Sequence, residues 1–247
     1  MNNRRTDKTM SIYPYLLPAR SIIFLLMSLV CAYLTNRQLE DISNYWSVAA
    51  SIVNILTIAV LMLAARNENS SYREMINYRK GQSDPKRTIL FIVMTIIIGM
   101  GGMYIAGLIC YGTIMPAVSL KMIAPVPPAI AVINVLVLPV TTALAEDGLY
   151  LGGGVGHIRN KYLSVIIPAF FYTLQHCFIP TLFDVRYIVY RFLSFLPLTI
   201  IFCLYYQKKK NPLPAMAGHA LLDLAMAMSI LATSVIPGVY EQWSSMI

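Results

Sequence analysis

The chain has 247 residues, 57% of them hydrophobic and 12% charged, with a mean hydropathy of +0.64. That composition excludes an ordinary soluble domain and fits a polytopic membrane protein with room for six to eight spans of about 20 residues. The net charge of +8 raises nucleic acid as a partner, but the placement of the cations along the chain removes it.

The first 20 residues, MNNRRTDKTMSIYPYLLPAR, lead into a full-length apolar stretch without an A-x-A site, which predicts a cytoplasmic start and no cleaved signal. Spans are expected at 17–36 and 45–65, the second with Tyr45 and Trp46 as interface anchors. The polar segment RNENSSYREMINYRKGQSDPKR follows and is too poor in apolar residues to form a core. A third span is expected at 88–111, where Gly99, Gly101, Gly102 and Gly107 let a neighbouring helix come close. Loop 112–125 is short and mostly uncharged, and further spans are expected at 126–151, 162–181, 188–206 and 212–236. No repeat, linker or second domain interrupts this pattern. The expected fold is therefore all-α: one membrane domain over 1–247, a bundle of about seven helices. Cys31, Cys110, Cys177 and Cys203 lie in apolar runs without CxxC or metal-type spacing, and are read as small buried hydrophobes.

With seven spans and the N-terminus inside, cytoplasmic segments hold 15 of the 19 Lys and Arg residues. Arg37, Lys121, Arg186 and Arg191 fall outside or near the outer interface. This asymmetry follows the positive-inside rule and accounts for the net charge through the lipid bilayer, with no nucleic acid.

Within the apolar spans the ionisable residues are few. Glu146 and Asp147 sit in TTALAEDGLYLGGG, His176 in YTLQHCF, and His219 and Asp223 in AGHALLDLA; Arg191 lies near the start of span six. One buried charge at the centre of a membrane helix costs roughly 2.5–3.5 kcal/mol on insertion scales, so the acid pair should face a bundle interior or a wet cavity. His219 and Asp223 are four residues apart and share a helix face, as do Tyr172 and His176. Gly148 and Gly152 allow close packing beside the acids. Three consecutive helical segments thus present an acid or a histidine to the interior, more ionisable groups than polar glue between helices requires. Counting at about 1.5 Å per residue puts His219 and His176 roughly 10 Å apart in depth, which predicts a tilted helix or one that begins beyond the bilayer.

A carboxylate and an imidazole can share the deprotonation of a water, and a second histidine backed by a residue one turn on can stabilise an oxyanion. That set suffices for peptide hydrolysis without a covalent intermediate. The same Glu/His/His set could equally hold a divalent metal, and spacing does not separate the two. There is no H-E-x-x-H and no G-x-S-x-G, and the only paired acid is Glu146-Asp147, unlike the two separated aspartates of an intramembrane aspartyl protease. A proton-coupled transporter is disfavoured because no inverted repeat or broken-helix pair is present.

At these residues the chain resembles the CPBP family, the CAAX-protease and bacteriocin-processing (Abi) membrane proteins related to Ras-converting endopeptidase. The family pattern is E-E-x-x-x-R, then F-x-x-x-H, then H-x-x-x-N or H-x-x-x-D. Here Glu146-Asp147-Gly-Leu-Tyr-Leu151, Tyr172-Thr-Leu-Gln-His176 and His219-Ala-Leu-Leu-Asp223 follow it in order, within a family core of about 126–236. The resemblance implies a glutamate-type intramembrane endopeptidase in a bacterial plasma membrane, with a cavity facing the cytoplasm and no metal or other cofactor. Glu146 would activate the water with His176, His219 and Asp223 would form the oxyanion side, and Asp147 and Tyr172 would support the site. The implied substrate is a small peptide or a membrane-anchored protein; a prenylated C-terminus is the family's eukaryotic substrate. An immunity or scaffold protein of the same family is the alternative. Three departures stand out: Leu151 replaces the pattern's Arg, Asp147 is one methylene shorter than Glu, and Asp223 is an acid where an amide donates more readily. Tyr172 for Phe is a lesser change. Arg159, the nearest cation in sequence, is the expected substitute partner for Asp147.

Overall fold

The computed structural model describes residues 11–246, so the expected cytoplasmic start with Arg4, Arg5 and Lys8 lies outside the described residues. Among those residues the structure is helical, with one isolated bridge between Phe178 and Thr181. The helices are α1 (Tyr13–Leu16), α2 (Ala19–Thr35), α3 (Leu39–Ser43), α4 (Trp46–Asn67), α5 (Tyr72–Met75), α6 (Pro85–Tyr111), α7 (Pro128–Thr142), α8 (Leu163–His176), α9 (Val185–Lys209), α10 (Leu213–Val235) and α11 (Val239–Ser244). A π-helical segment, Ala143–Val155, continues α7, and a 3₁₀ turn covers Ala117–Ile123. Among the described residues, six helical stretches are long and apolar enough to cross a membrane: Tyr13–Thr35, Trp46–Asn67, Pro85–Tyr111, Pro128–Val155, Val185–Lys209 and Leu213–Val235. The expected seventh, 162–181, is the 14-residue α8 followed by irregular chain, too short to cross a roughly 30 Å core by itself.

Local chemistry sets the boundaries. Asp84 caps α6 by accepting from Arg87 N–H, and Pro85 takes the first helical position, where no N–H is needed. Asp184 caps α9 in the same way. In the polar 66–87 segment, Ser71 and Glu74 form a reciprocal capping box that creates the short α5, a helix not anticipated there. Pro139 lies inside α7 and has no N–H; four residues later the helix widens to i→i+5 bonding.

The two ends of the bundle differ sharply. Hydrogen bonds from Asn77 and Gln82 to the Lys210 carbonyl, and from Gln207 to that of Lys161, join segments 66–87, 156–162 and 207–212 at one end. This end carries eleven Lys and Arg residues. Bonds from Trp46 to the Met122 carbonyl and from Ser43 to that of Thr181 define the other, which carries Arg37, Lys121 and Arg186. Arg20 and Arg191, assigned by sequence to the two aqueous sides, are instead buried in the bundle (1% and 2% exposed). Between the ends, apolar side chains such as Ile23, Leu26, Leu63, Leu90 and Ile97 point outward, the surface a lipid environment requires. Cys177 and Cys203 are buried as expected, whereas Cys31 is exposed and Cys110 half-buried.

Small residues govern how close the helices come. A Cβ on Gly102 would overlap the Ser194 carbonyl, so α6 and α9 meet backbone to backbone there. A Cβ on Gly148 would meet the Tyr72 ring, and one on Gly152 would meet Met75 and Ile76. The Gly148/Gly152 pair therefore receives α5, not another span. The largest buried cluster surrounds the π segment in the cation-rich half. A second cluster fills the opposite half.

Candidate active site

The π segment carries Glu146 and Asp147, 2% and 0% exposed, into the centre of the bundle. Three helices, α2, α8 and α10, bring a side chain to Glu146. From α2, Arg20 donates through Nη2 to Glu146 Oε1 at 2.8 Å. The same guanidinium donates to Gln175 Oε1 (2.6 Å), Thr57 Oγ1 (2.8 Å) and Asn54 Oδ1 (2.8 Å). Asn54 in turn donates to Thr142 Oγ1 at 2.9 Å. A buried carboxylate and a buried guanidinium thus satisfy each other within a network that spans α2, α4, α7, α8 and the π segment.

The second oxygen, Glu146 Oε2, is buried and takes no hydrogen bond. It lies 3.7 Å from His176 Nε2 and 3.9 Å from His219 Nε2. His176 Nδ1 is 2.8 Å from the Tyr172 carbonyl, which can only accept, so Nδ1 carries the proton. In the neutral ring Nε2 then presents its lone pair toward Glu146. The ring stacks on Phe195 at 3.9 Å between centroids. Arg191 holds the end of α8 by donating from Nε to the His176 carbonyl (3.1 Å) and from Nη2 to that of Ile179 (2.8 Å). A cation on a helix C-terminus satisfies carbonyls that the helix itself leaves open.

Asp147 is served differently. Tyr172 donates its hydroxyl to Asp147 Oδ1 at 2.8 Å, and the hydroxyl oxygen lies 2.9 Å from His219 Nδ1. With its proton on Asp147, the Tyr172 hydroxyl accepts from His219 Nδ1–H. His219 Nδ1 is also 3.4 Å from Asp147 Oδ2. Asp223 Oδ2 lies 3.8 Å from His219 Nε2, one turn along α10 and nearer the surface. Tyr150 stacks on Tyr172 at 4.5 Å and donates to Gln175, which ties this chain to the Arg20 network.

The structure therefore brings Glu146, Asp147, Tyr172, His176, His219 and Asp223 into one cluster. His176 lies 13 positions into α8 and His219 six into α10, yet both reach Glu146, so α8 inclines relative to α10. One expectation is corrected. Arg159 is exposed and forms no ion pair with Asp147, whose ion-pair partner among the described residues is His219. Leu151 is fully buried in the core, and the cation on the acid pair is Arg20, which pairs with Glu146. Sequence reading missed Arg20, Asn54 and Gln175 as a group. All three are polar residues inside apolar helices, the signal that singled out the histidines.

Glu146, His176 and His219 each offer one ligand atom, and the three atoms lie within 4.8 Å of one another. The 3.7 and 3.9 Å separations exceed the roughly 3.3 Å between tetrahedral ligands held at about 2.0 Å, so a zinc ion would require a modest contraction. The same separations let one water hydrogen-bond to a carboxylate and an imidazole together.

A cavity of about 420 Å³ adjoins the cluster, with Glu146, Tyr172, His176, His219 and Asp223 in its wall. It runs toward Trp46, Met122, Ile123 and Ile179, at the cation-poor end. The sequence expectation was an opening on the side of the cations. On that side, Tyr72 donates its hydroxyl to the Leu144 carbonyl. Burial, with Asp147 nearby, pushes the Tyr72 phenol well above its ordinary range, so it remains a donor.

Residues 128–225 match a protein-family model described as Type II CAAX prenyl endopeptidase Rce1-like. The matched span starts at α7 and ends two residues after Asp223, so it encloses all six clustered residues. No curated protein and no solved structure matches the chain.

Proposed function

We propose that the chain, whose residues 128–225 match the model of the Rce1-like type II CAAX prenyl endopeptidases, hydrolyses a peptide bond within the membrane by water activated at Glu146. The observation that carries this reading is the asymmetry of the Glu146 carboxylate. Oε1 is fixed by Arg20, while Oε2 is buried, unpartnered and aimed at two imidazole Nε2 atoms in a cavity wall.

In this mechanism Glu146 Oε2 takes one proton from the attacking water, and His176 Nε2 accepts the hydrogen bond of the other. The water oxygen bonds to the scissile carbonyl carbon, and the electron pair moves onto the carbonyl oxygen. His219, protonated at both nitrogens, donates from Nε2 to that oxyanion with Asp223 beside it. Glu146 then returns its proton to the leaving amine as the C–N bond breaks. Tyr172 and Asp147 hold the His219 ring through Nδ1. The substrate in this reading is a small peptide or a membrane-anchored protein.

The convergence of three ligand atoms supports a second reading, a metalloprotease built on the same residues. One experiment separates the two. Purified protein treated with a chelator keeps its cleavage activity in the glutamate mechanism; loss of activity restored by zinc selects the metal. A non-catalytic immunity or scaffold role predicts full biological activity in a Glu146/His176/His219 triple alanine variant.

A further inference from the structure

A second cavity, of about 620 Å³, lies at the cation-rich end and shares no lining residue with the one beside Glu146. Three of its wall residues hold the end of the π segment. Met75 packs on Gly152, and Tyr206 donates to the neighbouring Ile76 carbonyl at 3.0 Å. His157 Nδ1 lies 3.0 Å from the Gly152 carbonyl, which can only accept, so Nδ1 carries the proton.

The rim of this cavity carries both signs of charge. Glu68 follows α4 and Glu74 belongs to α5; Arg79 follows α5, and Lys209 and Lys210 close α9. Exposed side chains of opposite charge pair when they come within about 4 Å. Among the described residues no ion pair joins these two acids to these three cations. Each acid commits one oxygen to the protein: Glu68 Oε1 accepts from Ser11 at 3.0 Å, and Glu74 Oε2 accepts from the Ser71 N–H at 2.7 Å. That leaves the second oxygen of each open to a ligand. In the same wall Tyr13 is 1% exposed, and its buried hydroxyl has no hydrogen-bond partner. A buried hydroxyl left so costs free energy that a ligand oxygen would recover.

A molecule that satisfies this rim has an anionic and a cationic end. Three cations, one of them a guanidinium fork, suit a phosphate with its several acceptor oxygens. Two carboxylate oxygens suit a primary ammonium, which donates three hydrogen bonds. A quaternary ammonium would need open aromatic faces. Here those faces are taken: His157 lies on Tyr13 at 4.5 Å between centroids, and Lys210 Nζ stands over the Tyr206 ring at 5.7 Å. The cavity sits where α4 and α9 end, and Ile12 and Tyr15, on either side of Tyr13 in the chain, are exposed. Acyl chains therefore have apolar surface beside it.

We infer that this cavity binds the headgroup of a membrane phospholipid of the phosphoethanolamine type. Its phosphate lies on Arg79, Lys209 and Lys210, and its ammonium lies on Glu68 and Glu74. The bound lipid bridges α5, α9 and the chain that follows the π segment. No step of the proposed peptide hydrolysis depends on it.

The test is a thermal melt of the full chain, purified and delipidated in an uncharged detergent, with dihexanoyl lipids of three headgroups. Dihexanoyl phosphatidylethanolamine at saturation is expected to raise the melting temperature by about 5 °C. The phosphatidylglycerol and phosphatidylcholine counterparts are expected to give less than half that shift. Arg79 and Lys209 are exposed and make no side-chain ion pair among the described residues. The double variant Arg79→Gln/Lys209→Gln should thus melt normally without lipid and lose the shift with it. Glu68→Gln should lose the preference for phosphatidylethanolamine over phosphatidylglycerol. Equal shifts with those two lipids in the wild type overturn the two-ended ligand. A full shift in the double variant overturns the location, and no shift with any lipid overturns the site. Soluble phosphoethanolamine that matches the lipid at equal concentration overturns a membrane lipid as the occupant.

Discussion

Arg20→Met removes four hydrogen bonds and leaves the Glu146 carboxylate buried without its cation. Breaking a buried ion pair from one side costs about 3–5 kcal/mol, because the remaining charge is left uncompensated. At roughly 2–4 °C per kcal/mol for a chain of this size, the melting temperature in detergent should fall by about 6–20 °C. Glu146→Gln keeps an acceptor for Arg20 and should cost only about 1–3 kcal/mol. The double variant has neither charge, so its loss should be smaller than the sum of the single losses by about 2 kcal/mol. Arg20→Lys should not rescue, since one ammonium cannot reproduce a guanidinium fork that reaches α4, α8 and the π segment. The assay is a thermal double-mutant cycle on purified protein. Additive losses, within about 0.5 kcal/mol, would refute the claim that Arg20 is the counter-charge of Glu146.

Other consequences follow from the same geometry. Tyr172→Phe, which restores the residue of the family pattern, should lower kcat/KM about tenfold, because the short Asp147 then loses its bridge to His219. Adding Asp147→Glu should recover most of that loss; steady-state kinetics of the three variants would show it, and a double variant no better than Tyr172→Phe would count against the bridge. Arg191→Gln should reduce kcat more than it raises KM, by roughly 10- to 100-fold, through release of the α8 terminus and a misplaced His176, with partial rescue by Arg191→Lys. Gly102→Ala should destabilise the fold by about 1–3 kcal/mol in a thermal melt, because the new Cβ meets the backbone of Ser194 and α6 must move off α9.

Much of this architecture can be read from the chain itself. Apolar length placed the helices to within a few residues, and the spacing of Glu146, His176, His219 and Asp223 marked a cluster that the bundle does assemble. What escaped was long-range pairing. Arg20 follows Pro18 at the start of an apolar run, where a cation ordinarily marks the membrane edge. Only its three-dimensional meeting with Asn54, Gln175 and Glu146 makes it part of the site. The same holds for Arg191, whose partners are carbonyls that no side-chain pattern records. The π segment follows a proline and a run of small residues, signals too common to announce thirteen residues of widened helix. The packing behind the acid pair was also hidden. It depends on where the capping-box helix α5 folds back under Gly148 and Gly152, a loop too polar to be counted as part of the core.

Activation of water by Glu146 for peptide cleavage is tested most directly by quantitative mass spectrometry of protein termini. The comparison is between membranes that carry the wild type and membranes that carry a folded, equally abundant Glu146→Ala variant, and it works with any substrate those membranes contain. New peptide termini present only with the wild type are the predicted result. Identical termini in the two membranes would contradict it.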